Sequence, residues 1–102
     1  MNKRLAYLEQ ILADGKADSF ARYALGMEYR KEGRLDDALR VFDELRAADP
    51  NYLAMYLMVG QIAAERSDPA TAKEWLTAGR EVAQSQGNSQ ALGEIEDLLA
   101  GL

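Results

Sequence analysis

The segment ADSFARYALGMEYRKEGRLDDALRVFDELRAADP, residues 17–50, has the pattern of two amphipathic helices joined by a short turn. The apolar residues of its first half recur at positions i, i+3 and i+7 of a helix, at Phe20, Tyr23 and Met27. Leu25 and Tyr29, four residues apart, form a second apolar stripe on roughly the opposite side. Two stripes predict that neighbours cover this helix on more than one face.

Glycine and proline mark the packing and the ends of these two helices. Gly26 lies in mid-helix, where glycine costs about 1 kcal/mol relative to alanine, and it therefore indicates the close approach of another helix. Gly33 is the residue best suited to the left-handed conformation that ends a helix. Because Asp49 precedes Pro50, the helical conformation is disfavoured at Asp49, and the second helix is predicted to end there. The apolar positions of that helix have amphipathic spacing: Leu35, Ala38, Leu39, Phe42 and Leu45.

The same pattern returns 34 residues later, a period typical of helical repeats. Corresponding positions are Leu25-Gly26 and Val59-Gly60, Ala38 and Ala72, Val41 and Trp75, and Phe42 and Leu76. The turn Glu32-Gly33-Arg34 corresponds to Arg66-Ser67-Asp68. Further along, Leu92-Gly93 repeats the Leu-Gly pair one residue out of this period.

Taken together, residues 17–50 resemble the tetratricopeptide repeat (TPR), a helical hairpin that stacks on its neighbours in a solenoid. The residues that carry the resemblance are Leu25-Gly26, Tyr29, Gly33, Ala38, Phe42 and Asp49-Pro50. The usual tryptophan of the first helix is replaced by Arg22, and by Tyr56 in the second unit. That second unit also lacks the closing proline. The resemblance implies an all-α fold: a TPR-like α-solenoid of antiparallel hairpins, about six helices in a right-handed superhelical stack.

We expect a single TPR-like domain over residues 1–102, in four parts. Residues 1–15 are interpreted as the second helix of a truncated repeat, because Leu8 and Ile11 lie one period before Phe42 and Leu45. Residues 17–50 and 51–86 are repeats 1 and 2, and residues 88–102 are a C-terminal capping helix. The alternative for the N-terminal helix is a detachable segment that guards a groove or swaps to a second copy.

Composition excludes several classes of function. The 102 residues include no cysteine and no histidine, so the chain has neither a thiolate nor an imidazole for catalysis or metal binding. The net charge is −5 without a clustered basic face, which argues against nucleic acid. No apolar run reaches the roughly 18 residues of a membrane span. We therefore expect no enzyme activity, cofactor, metal or membrane partner, and a free-standing cytoplasmic protein.

The charge is unevenly distributed along the chain. From Glu81 to Leu102 there are acidic residues but no Lys or Arg. We interpret this end as the solvated surface of a terminal helix, because the outer faces of repeat proteins must remain polar. Adjacent carboxylates such as Asp36 and Asp37 point in different directions on a helix and do not form a paired acid and base.

With these classes of function excluded, we expect the chain to act through a surface that binds another protein. In the TPR family the first helices of the repeats line a concave face that holds a peptide or helix of a partner. The resemblance assigns the following residues to this groove: Phe20, Tyr23, Met27, Arg30, Lys31, Leu57, Gln61 and Glu65. The Lys and Asn with which some TPR domains clamp a C-terminal carboxylate are replaced here by Tyr23, Met27 and Met58. The groove is predicted to be apolar with a basic rim at Arg30 and Lys31, which suits an amphipathic segment with acidic flanks.

Self-association is the alternative function. A large exposed apolar patch is unusual on a monomer. The stripe of Phe20, Tyr23 and Met27 would then be covered by the chain's own N-terminal helix, or by a second copy in a two-fold homodimer. The sequence does not decide between a groove for a partner and self-pairing.

Overall fold

The computed structural model describes all residues, 1–102, and consists of six α-helices. These are α1 (Lys3–Ala13), α2 (Ser19–Lys31), α3 (Leu35–Ala48), α4 (Leu53–Glu65), α5 (Pro69–Gln86) and α6 (Ser89–Ala100). Helices that follow each other pack as hairpins, α1 with α2 and α2 with α3, then α4 with α5 and α5 with α6. The predicted all-α class, with six helices in sequential hairpins, is confirmed. Two compact units, Met1–Tyr52 and Leu53–Leu102, contain three helices each.

In the first unit, α2 and α3 meet at a glycine. A Cβ atom at Gly26 would lie 2.5 Å from Cζ of Phe42, so any side chain here would overlap the phenyl ring. Phe42 is fully buried, as are Ala38 and Leu45 on the same helix. The ring therefore lies directly on the backbone of α2, which is the close approach that a mid-helix glycine indicated. Gly33, with φ of 77°, follows the end of α2 in the left-handed conformation.

In the second unit, α4 and α5 meet in the same way. A Cβ atom at Gly60 would lie 2.5 Å from Cδ2 of Leu76, which is also fully buried. Gly60 and Leu76 lie 34 residues after Gly26 and Phe42, so the sequence period reflects a repeated contact between helices. In the same hairpin the ring centroids of Tyr56 and Trp75 are 5.7 Å apart, and Trp75 is 7% exposed. Trp75 is therefore part of the core of its own hairpin.

Polar contacts hold α1 against α2 around two buried leucines, Leu5 and Leu8. Asn2 caps α1 by accepting from the backbone N–H of Leu5, and its side-chain amide donates to Glu28 of α2 at 3.0 Å. The Tyr29 hydroxyl donates to Glu9 at 2.5 Å. Tyr29 is 4% exposed and Glu9 is half-buried, so this bond is partly shielded from water.

The position of α6 corrects one expectation. The Leu92-Gly93 pair does not take the place of Leu25-Gly26, because the seventh residue of α6 is Ile95. The seventh residues of α2, α4 and α6 are Leu25, Val59 and Ile95, with exposures of 1%, 1% and 0%. The eighth residues are Gly26, Gly60 and Glu96. The offset has two causes: α5 has 18 residues where α3 has 14, and two residues follow α5 where four follow α3. As a result α6 begins two residues later than the period places it.

Candidate functional site

The predicted site residues on α2 lie in different surroundings. Phe20 is 67% exposed and lines a groove whose other wall is α1. Tyr23 is half-buried, and its ring centroid lies 5.4 Å from that of Tyr52 and 5.9 Å from that of Phe42. The structure thus places Phe20 beside α1, whereas Tyr23 belongs to an aromatic cluster that also includes a residue of α3.

The α1–α2 groove has a volume of about 250 Å³. Its residues are Arg4, Tyr7, Leu8 and Ile11 from α1 and Phe20, Ala21 and Ala24 from α2. Tyr7, which sequence reasoning did not assign to a site, is 66% exposed and is the second large aromatic residue at this groove. Because α1 leaves the Phe20 ring exposed, the N-terminal helix does not cover the apolar stripe at this point.

The remaining predicted residues of α2 differ in their electrostatic surroundings. Burial, helped by the neighbouring Tyr52, raises the pKa of Tyr23, so its hydroxyl is neutral at physiological pH. Met27 and Arg30 are half-buried. Lys31 is exposed and lines a polar cleft beside α1 together with Glu9, Glu32 and Arg34. The structure therefore places one of the two rim cations in a cleft that contains both signs of charge.

In the second unit, Leu57 lines a groove of about 360 Å³ between α4 and α6, called the α4–α6 groove. Its apolar residues are Leu53, Ala54, Leu57 and Ala91, and its polar residues are Gln86, Asn88, Gln90 and Glu94. Gln61 is half-buried and Glu65 is exposed, and neither lines this groove. Of the predicted residues on α4, only Leu57 belongs to a concave site within its unit.

Sequence reasoning missed the residues that α6 contributes to this groove. Gln90 and Glu94 are the second and sixth residues of α6, the places that Ala54 and Met58 occupy in α4. As parts of a terminal helix with a solvated acidic surface, neither is assigned to a site by the sequence. Gln90 has the position that Phe20 holds in α2, whereas Glu94 has the position of Ala24, which is not a predicted site residue.

No three or more Asp and Glu side chains of the chain form a group that could hold a metal ion. None of the six helices combines the length and the apolar character that crossing a membrane requires. The α1–α2 groove is mostly apolar, with Arg4 as its one charged residue, whereas the α4–α6 groove combines apolar and polar side chains. Protein interfaces likewise combine an apolar core with a polar rim.

Comparison with known proteins supports this picture. A family model described as tetratricopeptide repeat matches residues 19–62. A tetratricopeptide repeat domain protein from Salinibacter ruber, solved in solution and as a crystal, is 32% identical to the chain in both structures. The solution structure gives a TM-score of 0.77, and the match covers 82% of this chain and 85% of that protein's chain. The crystal structure gives a TM-score of 0.76, and the match covers 81% of this chain and 93% of that chain.

A protein from Bordetella parapertussis, solved in solution, is 28% identical and gives a TM-score of 0.83, with coverage of 98% of this chain and 87% of its own. No curated protein matches the sequence significantly. The segment matched by the family model contains α2, α3 and most of α4, including the contact of Gly26 with Phe42. TPR domains are in general protein-interaction modules and are normally non-catalytic. The repeated glycine contact, the six helices and these similarities lead to one assignment: the chain belongs to the tetratricopeptide repeat family.

Proposed function

We propose that this chain is a TPR adaptor or scaffold that binds a peptide or helix of a partner protein in a groove lined by the first helices of its repeats. The proposed contact residues are Phe20, Tyr23, Met27, Arg30 and Lys31 on α2, and Leu57, Gln61 and Glu65 on α4. The division into a half-repeat (1–15), two repeats (17–50 and 51–86) and a capping helix (88–102) of one domain belongs to the same proposal.

The observation that carries this proposal is the setting of Leu57. Its side chain is half-buried and lines the α4–α6 groove together with the apolar Leu53 and Ala91, and four polar side chains line the same groove. Ligand sites are commonly concave and apolar, with a few polar groups that fix orientation. A partner's aliphatic side chain would complete the burial of Leu57, and well-packed central contacts of this kind dominate binding energy.

Selection from a random-peptide display library on the folded chain tests the proposal. Peptides selected on the wild-type chain should bind the Leu57→Gln variant about tenfold more weakly, because a buried apolar contact worth more than about 1 kcal/mol is lost. Leu39→Gln is the matched control, since Leu39 is also a half-buried leucine but lies on α3, outside the proposed groove. Circular dichroism checks that both variants are folded. Equal losses in the two variants, or none at Leu57→Gln, would contradict the proposal.

Self-association is a second candidate, favoured by the exposure of Tyr7 and Phe20 in the α1–α2 groove. Aromatic residues are enriched in protein interfaces, and two of them in one groove are suited to packing against a second copy. Light scattering tests this function: the mass should rise above 11.3 kDa with concentration, and Tyr7→Gln should abolish the rise. A mass that stays at 11.3 kDa at every concentration would remove this candidate.

A further inference from the structure

The two helices that form the walls of the α4–α6 groove carry charges of one sign. The only charged residue of α4 is Glu65, and the charged residues of α6 are Glu94, Glu96 and Asp97. No Lys or Arg follows Arg80 in the sequence. Glu94 lines the groove itself, whereas the other carboxylates lie on the same two helices. Because Glu94 is the one charged side chain that lines the groove and no Lys or Arg lines it, the groove favours a ligand that carries positive charge.

The groove is also lined by carboxamide side chains. Those of Asn88 and Gln90 lie at the N-cap and in the first turn of α6. A carboxamide both donates and accepts hydrogen bonds, which matches the N–H and C=O groups of a peptide backbone. Asn88 uses Oδ1 to accept from the backbone N–H of Ala91 at 3.0 Å, and its NH₂ group supplies two further donors. An extended peptide leaves its backbone groups open to such partners, whereas a helix satisfies its own.

We propose that the α4–α6 groove binds an extended, basic segment of the partner protein. In this arrangement an aliphatic side chain of the segment packs against Leu53, Leu57 and Ala91, and a neighbouring Lys or Arg pairs with Glu94. The inference rests on the proposed function, because it specifies the chemistry of the partner on part of the same surface. It differs from the acidic flanks expected from Arg30 and Lys31, since those cations lie on α2, in the other unit.

The same random-peptide library provides the test, now with selections on charge variants. Selection on the wild-type chain should enrich Leu, Ile or Met next to Lys or Arg. Selection on Glu94→Lys should lose the enrichment of Lys and Arg but keep that of the aliphatic residue. Glu81→Lys is the matched control: it makes the same change in net charge at an exposed carboxylate of α5 that does not line the groove. It should retain the wild-type preference.

A peptide from the wild-type selection adds quantitative readouts. Its Kd should rise about fivefold for Glu94→Lys, since an exposed attraction becomes a repulsion, and should change less than twofold, about 0.4 kcal/mol, for Glu81→Lys. Added salt should reduce the difference between the variants. Transferred nuclear Overhauser effects should show strong sequential Hα–HN contacts, the mark of an extended chain.

The outcomes separate this inference from the proposed function. If peptides bind and depend on Leu57 but show no basic residues, or keep their preference on Glu94→Lys, the basic partner is wrong while the groove stands. A helical pattern of Overhauser effects would overturn the extended backbone. If the wild-type chain selects no peptide that depends on Leu57, both proposals fail.

Discussion

Replacing a mid-helix glycine by alanine should have opposite effects in α2 and α6. In an unconstrained helix the change stabilises by up to about 1 kcal/mol, because alanine has the higher helix propensity. At Gly26, however, the added Cβ would lie 2.5, 2.6 and 2.9 Å from three ring atoms of Phe42. Real Cβ atoms do not come this close to other heavy atoms, so the ring must move within a core in which it is 0% exposed.

The magnitude follows from two opposing effects. Forcing an extra carbon into a packed core costs about 1–3 kcal/mol, which exceeds the gain in propensity. We therefore expect Gly26→Ala to lower the free energy of unfolding by about 1–2 kcal/mol. Gly93→Ala is the matched control, because a Cβ there would meet nothing within 4 Å and its φ is not positive. It should raise the free energy of unfolding by about 0.5–1 kcal/mol.

Urea unfolding followed by circular dichroism measures both variants on the same scale, with unchanged m-values showing that only stability has changed. A double variant, Gly26→Ala with Phe42→Ala, separates the clash from other effects, because alanine at position 42 removes the ring that the new Cβ would meet. In that background Gly26→Ala should no longer destabilise. If Gly26→Ala is as favourable as Gly93→Ala in the wild-type background, the account of close helix packing is wrong.

Three further predictions concern single residues. Ser67 has a φ of 57°, and the corresponding residue of the first repeat is Gly33. In thermal or urea melts, Ser67→Gly should therefore raise the free energy of unfolding by about 0.5–1 kcal/mol. A loss of stability would show that the Ser67 side chain matters more than its backbone conformation. Burial and the hydrogen bond to Glu9 raise the pKa of Tyr29 to about 12, so its contribution to stability is complete below the ordinary value of 10.0 and declines as the pH rises toward 12. Tyr29→Phe should cost about 1 kcal/mol at neutral pH. Unfolding at several pH values should show a smaller alkaline decline in this variant, with a part remaining because burial also raises the pKa of Tyr23 and of Tyr52. An unchanged alkaline decline would contradict this. Hydrogen bonds from Thr71 lower the pKa of Asp68 below its ordinary value of 3.8. The stabilising charge of Asp68 is therefore present above pH 3.8 and is lost as the pH falls through the lowered pKa. In acid unfolding, Asp68→Asn should lose less stability than the wild-type chain, and an equal loss would exclude this cap as a source of acid sensitivity.

The fold could be predicted from the sequence because each repeat contains both residues of the contact between its two helices. Gly26 and Phe42 return 34 residues later as Gly60 and Leu76, so a glycine and a large apolar residue at fixed spacing identify two helices and their mutual approach. The register of α6 could not be predicted in this way. It depends on the length of α5, which continues to Gln86 and ends only at the left-handed Gly87. A strict period cannot anticipate a helix that gains an extra turn.

The candidate site was less predictable than the fold for a related reason. Phe20 and Tyr23 occupy similar positions in the apolar pattern, yet one is 67% exposed and the other is half-buried. The difference depends on where α1 and Tyr52 lie, which is a tertiary property. Likewise, Glu94 and Gln90 line a groove only because α6 lies against α4, and an acidic helix looks the same in sequence whether it borders a groove or faces solvent.

Glu96 has a consequence for protein engineering. Because it takes the position at which Gly26 and Gly60 receive the side chain of the next helix, a helix grafted after α6 at the same spacing would have to bury a carboxylate. Designers who wish to lengthen this array should therefore start from Glu96→Gly and add a helix with the sequence pattern of α3, its phenylalanine aimed at the new glycine. A glutamate at this position disfavours the packing of a further helix, so the same residue could be used to end synthetic arrays of this repeat.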